Sequence, residues 1–156
     1  MRYDTGVDAA TCPSSDDRVV LVGLLAETNA RLERRLGLAL EAGCDLPLAW
    51  LEVLLTLHRS GDGRLKMNQV ADAIVHSSGG TTRLIDRLEE AGLVERQVCR
   101  SDRRAVFVAI TPEGQARLTA GLGVYLDYLE RDVAARLDET ERASLTTLLT
   151  KLNAPA

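Results

Sequence analysis

The sequence predicts a mainly α-helical fold that carries one small β-hairpin. Three observations predict it. Apolar residues recur at spacings of three and four along most of the 156-residue chain, the period of an amphipathic helix. Two short apolar-faced segments, centred near 72 and 86, flank a polar turn at about 75–77. Residues 93–98 and 105–111 alternate like strands on either side of the polar tip 99–104, the pattern of a hairpin.

Each element follows in order. Residues 1–16 read as a loose leader, polar and acidic, with no apolar stretch of the secretory kind. Leu21, Leu25, Thr28, Leu32, Leu36, Ala39 and Leu40 then mark a long helix over about 18–42, which Gly43 is placed to end. Pro47 opens a second helix to about 59. Its apolar residues Leu48, Trp50, Leu51, Val53, Leu54, Leu55 and Leu57 cover most of its circumference, so it should sit centrally. "SGDG", 60–63, is a turn.

Val70, Ala71 and Ile74 then face one way on a short helix. Leu84, Ile85 and Leu88 do so on the next, which Gly92 ends. Two short helices joined by a tight turn form a helix-turn-helix, and the hairpin after them makes it a winged one. Thr111 and Pro112 are placed as N-cap and first residue of a further helix carrying Leu118, Leu122, Tyr125, Leu129, Val133 and Leu137. Asp138, with Glu141 three residues on, caps a last helix faced by Leu145, Leu148, Leu149 and Leu152.

The first helix and the last two carry more apolar surface than so small a middle segment can cover. They are therefore expected to pair with a second copy of the chain, with a monomeric helical bundle as the alternative. The organisation expected is a leader (1–16), dimerisation helices (17–45 and 112–156) and a winged helix-turn-helix DNA-binding domain (46–111). A two-fold dimer suits two half-sites on DNA.

The net charge is −4, which by itself argues weakly against a nucleic-acid partner. The distribution argues otherwise. Residues 1–60 carry −3, residues 61–111 carry +1 and residues 112–156 carry −2. Within the middle segment, residues 96–104 set Arg96, Arg100, Arg103 and Arg104 against Asp102 alone. A hairpin tip projects side chains away from the body, and arginine there can enter a narrow minor groove. Asp102 reads as an orienting partner for an arginine, through a charge-assisted hydrogen bond. Arg100 reads as a phosphate contact.

The second short helix, opening "SSGGTTRLIDR", is expected in the major groove. Ser78, Thr81 and Thr82 can donate to phosphates. Arg83 can reach a guanine edge. Gly79 and Gly80 favour close backbone approach over helix stability. Arg87, beside Asp86 and Glu90, reads equally well as a DNA contact or a solvated helix residue.

"DRRAVFVAITPEG", 102–114, resembles the DxRxxxVxLTxxG wing signature of the MarR family of bacterial transcription regulators. Asp102, Arg104, Val108, Thr111 and Gly114 match it, and Ile110 replaces the usual leucine. "TTRLIDRLEEAGLVER", 81–96, is similar to the family's recognition helix and first wing strand. The resemblance implies a homodimeric regulator, most often a repressor, on a pseudo-palindromic operator in double-stranded DNA. It implies that Arg104 enters a flanking minor groove. It also implies a small aromatic or phenolic ligand in many members, bound between the dimer helices and the DNA-binding lobe.

Other readings stand beside these. Trp50 and His58, eight apart on one helical face with Leu54 between them, either line a ligand pocket or pack as core or interface residues; residue type favours packing. Tyr125 and Tyr128 read as helix packing. Cys12, Cys44 and Cys99 form no CxxC pair, so neither a disulfide framework nor a zinc finger is expected. No metal and no cofactor is expected. A redox-sensing role for Cys12 or Cys99 is the alternative regulator, and a winged protein-interaction module without DNA binding is the alternative class. An enzyme is not expected. No apolar run reaches the length of a membrane span, and the expected compartment is the cytoplasm.

Overall fold

The leucine-rich segment that follows Pro47 becomes the centre of the structure. Leu51, Val53, Leu54 and Leu57 of this helix are buried, the last three completely. A helix can lose water on several faces only if several elements surround it. Here the surroundings are the hairpin, the two short helices and the helix after the hairpin.

The structure, a computed structural model, describes residues 16–74, 78–98 and 106–154, with backbone alone at 78 and 79. The elements are α1 (Asp17–Cys44), α2 (Leu48–Arg59), β1 (Arg64–Lys66), α3 (Met67–Ala73), α4 (Ser78–Glu90), β2 (Val94–Val98), β3 (Val106–Ile110), α5 (Pro112–Leu129) and α6 (Glu139–Leu152). A π-helical turn, Glu130–Ala134, follows α5. The chain divides into two compact units, one ending at Arg35 and the other beginning at Leu36.

In the first unit, Val19, Val20, Leu21, Val22 and Leu24 are exposed. The second unit holds the core: Leu36, Leu40, Leu46, Val70, Ile74, Ile85, Leu88, Leu93, Val94, Val108 and Leu118 are buried there together with the α2 leucines. The helical face expected at Leu84, Ile85 and Leu88 is present, with Leu84 half-buried and the others fully buried. On α6, Leu145, Leu148, Leu149 and Leu152 are all exposed.

Three details differ from expectation. Gly43 does not end α1. It lies inside the helix, where an added β-carbon would come within 2.9 Å of Val124, and the left-handed residue is Asp45, at φ 49°. Asp tolerates that conformation better than most residues do. The hairpin also gains a third strand: Leu65 of β1 pairs with Val108, extending the sheet in the order β1-β3-β2. Three residues after a glycine turn carry too little alternation to announce a strand. Finally, α5 runs into the π turn, closed by Ala135 N–H donating to the Glu130 carbonyl at 3.0 Å.

The caps agree with expectation. Thr111 Oγ1 accepts from Gly114 N–H at 3.0 Å, with Pro112 at the first helical position. Asp138 and Glu141 form a reciprocal capping box at 2.9 Å each way, satisfying two of the groups that a helix start leaves open.

Candidate nucleic-acid interface

Helix α4 has two faces set by its sequence. Ile85 and Leu88 point into the core, and Thr82, Arg83, Asp86, Arg87 and Glu90 are exposed. The spacing of Arg83 and Arg87, one helical turn, puts both guanidinium groups on the same side. Neither makes an ion pair or side-chain hydrogen bond with another described residue. A helix that presents arginines without carboxylate partners has donors left for phosphate or a guanine edge.

Thr81 departs from the expected role. It is only 1% exposed, on the core side of α4, because it lies four residues before Ile85 and seven before Leu88. Its hydroxyl is buried without a partner among the described residues. In this position it cannot donate to a phosphate. Thr82 remains outward, Gly80 is exposed, and the side chain of Ser78 lies outside what the structure describes.

The hairpin stands beside α4. Strands β2 and β3 pair antiparallel from Val94↔Ile110 to Val98↔Val106. The expected tip, 99–104, with Arg100, Asp102, Arg103 and Arg104, lies outside the described residues, as does Cys12. Val108, at the sheet's centre, is fully buried and roots the hairpin in the core.

Arg96 is not part of the outward positive charge. Its Nη2 donates to Asp86 Oδ1 at 2.5 Å, its Nη1 donates to Glu89 Oε2, and its backbone N–H donates to Glu89 Oε1 at 3.0 Å. Burial works against the charged guanidinium, but the hydrogen bonds to Asp86 and Glu89 outweigh it and raise its pKa. The local excess read from the sequence thus loses one charge to the protein's own carboxylates. The same bonds occupy Asp86, which the sequence left as a neighbour for Arg87.

Sequence reasoning also passed over β1. Arg64 and Lys66 are exposed there. The Arg64 guanidinium lies 5.4 Å from the Phe107 ring centroid and donates to Asp62 at 3.0 Å, so it is engaged within the protein. No motif marks these residues, because their positions follow from the β1–β3 pairing.

The candidate ligand residues do not converge on one environment. Leu54 is fully buried, Trp50 is half-buried and His58 is exposed. His58 Nδ1 lies 3.1 Å from Gln115 Oε1, a hydrogen bond that ties the end of α2 to the start of α5. Tyr128 is buried, as packing requires.

A helix-turn-helix with an outward arginine face, braced against a rooted β-hairpin, defines a winged DNA-binding regulator. Residues 45–105 match the MarR family model, and the chain is a DNA-binding transcriptional regulator similar to members of that family. It is 27% identical over 132 residues to the HTH-type transcriptional regulator PecS of Dickeya dadantii (strain 3937), covering 84% of this chain and 78% of PecS. Among solved structures, Sco3205 of Streptomyces coelicolor, a MarR family regulator in complex with DNA, superposes with a TM-score of 0.78 at 25% identity, covering 87% of this chain and 85% of that one. The organohalide-sensing regulator RdhR-CbdbA1625, in its 2,4-dichlorophenol-bound form, shares the fold with a TM-score of 0.77 at 17% identity, covering 97% of this chain and 87% of that one. Among the described residues, no helix is long and apolar enough to cross a membrane.

Proposed function

We propose that this chain is a homodimeric repressor that binds a pseudo-palindromic operator sequence-specifically. Thr82, Arg83 and Arg87 of α4 enter the major groove, with Ser78 at the helix start near a phosphate. The hairpin tip brings Arg100 to a phosphate and Arg103 and Arg104, with Asp102 orienting an arginine, to the flanking minor groove. The observation that carries this reading is the outward pair Arg83 and Arg87, left without carboxylate partners among the described residues while Arg96 takes up Asp86 and Glu89. The flanking segments 17–45 and 112–156 supply the dimer contacts. The exposed apolar rows of α1 and α6 support this, since each offers surface that a second copy would remove from water. The protein works in the cytoplasm, where its operator lies.

The test is selection of a preferred duplex from a random-sequence library, followed by titration of the Arg104→Ala variant on that duplex. The variant should bind more weakly, and the slope of log affinity against log salt should fall by about one. Unchanged binding would remove the minor-groove role. Failure of the native chain to bind any duplex at low salt would favour a protein-interaction module.

A second reading concerns control. RdhR-CbdbA1625 is seen with 2,4-dichlorophenol bound, which supports a small phenolic or other aromatic ligand here, with Trp50 and His58 as lining residues. Addition of 2,4-dichlorophenol should then weaken duplex binding, and the Trp50→Ala variant should lose that response.

A further inference from the structure

We infer that Arg96 is a positioning residue for DNA recognition: it locks helix α4 and strand β2 into one body, setting the direction in which β2 leaves α4 when α4 is seated. The inference rests on the DNA-binding reading above and adds a residue that does not itself touch DNA.

The covalent link between the two elements is short. Residues 91–93 join α4 to β2, with Gly92 at φ 72°, a conformation glycine adopts without strain. The base of the hairpin is held there by the Thr111 bonds to the Gly92 and Leu93 carbonyls and by the buried Val94 and Val108. Arg96 adds a second hold further out along β2. On β2, Val94 and Arg96 share a face: Val94 is buried in the core, and Arg96, one pleat further out, crosses to α4.

Asp86 and Glu89 lie three residues apart and so adjoin on the helix surface. One guanidinium fork spans both carboxylates. Glu89 also accepts from the backbone N–H of Arg96, which points away from β3 along the outer edge of the sheet. The Arg96 side chain is 27% exposed against 49% for Asp86 and 38% for Glu89, so water screens each pair in part, and the hold comes from one fork engaging two carboxylates together. Lysine could not replace it, because an ammonium cannot bond two carboxylates as a planar fork does.

The consequence is one of spacing. Sequence-specific binding needs α4 in the major groove and the tip in a minor groove at the same time, at a separation the duplex dictates. Non-specific binding needs only positive charge near phosphates. Loosening the clamp therefore lowers specific affinity and spares non-specific affinity. The Nη1 and Nη2 donors of Arg96 are turned to carboxylates, so the residue adds nothing to the count of phosphates neutralised.

The experiment uses the full chain and two variants that keep the net charge. Arg96→Lys retains the positive charge and loses the fork. Arg96→Met with Glu89→Gln removes one charge of each sign and keeps an acceptor for the backbone N–H. Each is titrated on the duplex selected by the native chain and on a scrambled duplex, across a salt series, with helical content and oligomeric state checked alongside. The expected result is a loss of about tenfold on the selected duplex, less than about twofold on the scrambled one, and an unchanged salt slope. If the double variant fails to fold, Arg96→Lys decides the matter.

Equal losses on both duplexes would overturn the inference and leave Arg96 a stabilising residue only. A salt slope lower by about one would overturn it by making Arg96 a phosphate contact, and no loss on either duplex would leave the clamp without a role. A native chain that selects no duplex removes the DNA-binding reading itself, an outcome that is visible before any variant is made.

Discussion

Gly114 lies so close to the backbone carbonyl of Leu93 that a β-carbon on it would stand 2.0 Å from that oxygen. The contact is part of a joint. Thr111 N–H donates to the same Leu93 carbonyl at 3.1 Å, and Thr111 Oγ1 donates to the Gly92 carbonyl at 2.7 Å. The first turn of α5 is thereby fastened to the turn between α4 and β2. Thr111 and Gly114, which close the wing signature, are structural: they hold the base of the hairpin and the end of α4 in register with the helix that follows.

Gly114→Ala should therefore be among the most damaging single-methyl substitutions in the chain. The clash is with backbone, which cannot rotate away, and the cost expected is at least about 3 kcal/mol. Urea unfolding of the variant beside the native chain measures it. A change below about 1 kcal/mol would show that α5 can shift away from Leu93 at little cost.

Thr81→Val should stabilise the chain or leave it unchanged. The substitution removes a buried hydroxyl that has no partner among the described residues and keeps the shape, so a gain of up to about 1 kcal/mol is expected. Duplex affinity should not move. A clear loss of affinity would return Thr81 to the DNA-facing set.

Arg83→Ala should cost about 1–3 kcal/mol of binding on the selected duplex and relax the preference at one base position. Thr82→Ala should weaken binding evenly across sequences, as loss of a phosphate contact does. Repeating the library selection with each variant separates the two behaviours.

Leu148→Glu combined with Leu152→Glu should shift the chain from dimer to monomer at micromolar concentration. Both leucines are exposed on α6, so an isolated chain has no packing there to lose, whereas a dimer would bury two charges per protomer. Sedimentation velocity reads the result. A native chain that sediments as a monomer would remove the dimer before the variant is tested.

The carboxyl of Asp62 is held below its ordinary value of 3.8, first by the side-chain hydrogen bond from Arg64. A depressed carboxyl favours the folded state above its unfolded pKa, and that contribution is lost as pH falls through the folded value. Following the Asp62 carboxyl by NMR should give a midpoint below 3.8 in the native chain. In Arg64→Gln it should rise toward 3.8.

Most of the fold was legible because it is written in local signals. Helical periodicity marked α1, α2, α4, α5 and α6, strand alternation marked β2 and β3, and the caps at Thr111 and Asp138 lay where the residue types put them. Periodicity reports which side of an element is apolar, and caps report where its backbone needs partners. Both are properties of neighbouring residues. The wing signature likewise lay in one continuous run, which is why the kind of protein could be read without a structure.

What the sequence determined by itself was therefore the helices, the hairpin strands and the class of partner. Tertiary structure decided which charges are free to act. Arg96 stands among basic residues in sequence, yet across the fold it meets Asp86 and Glu89, ten and seven positions away. Thr81 stands beside Thr82, yet the step of about 100° between helical neighbours sends one inward and the other out. β1 exists only because Val108 is there for Leu65 to pair with. These outcomes depend on contacts between elements, and a side chain's charge or hydroxyl serves whatever group the packing places within about 3 Å of it.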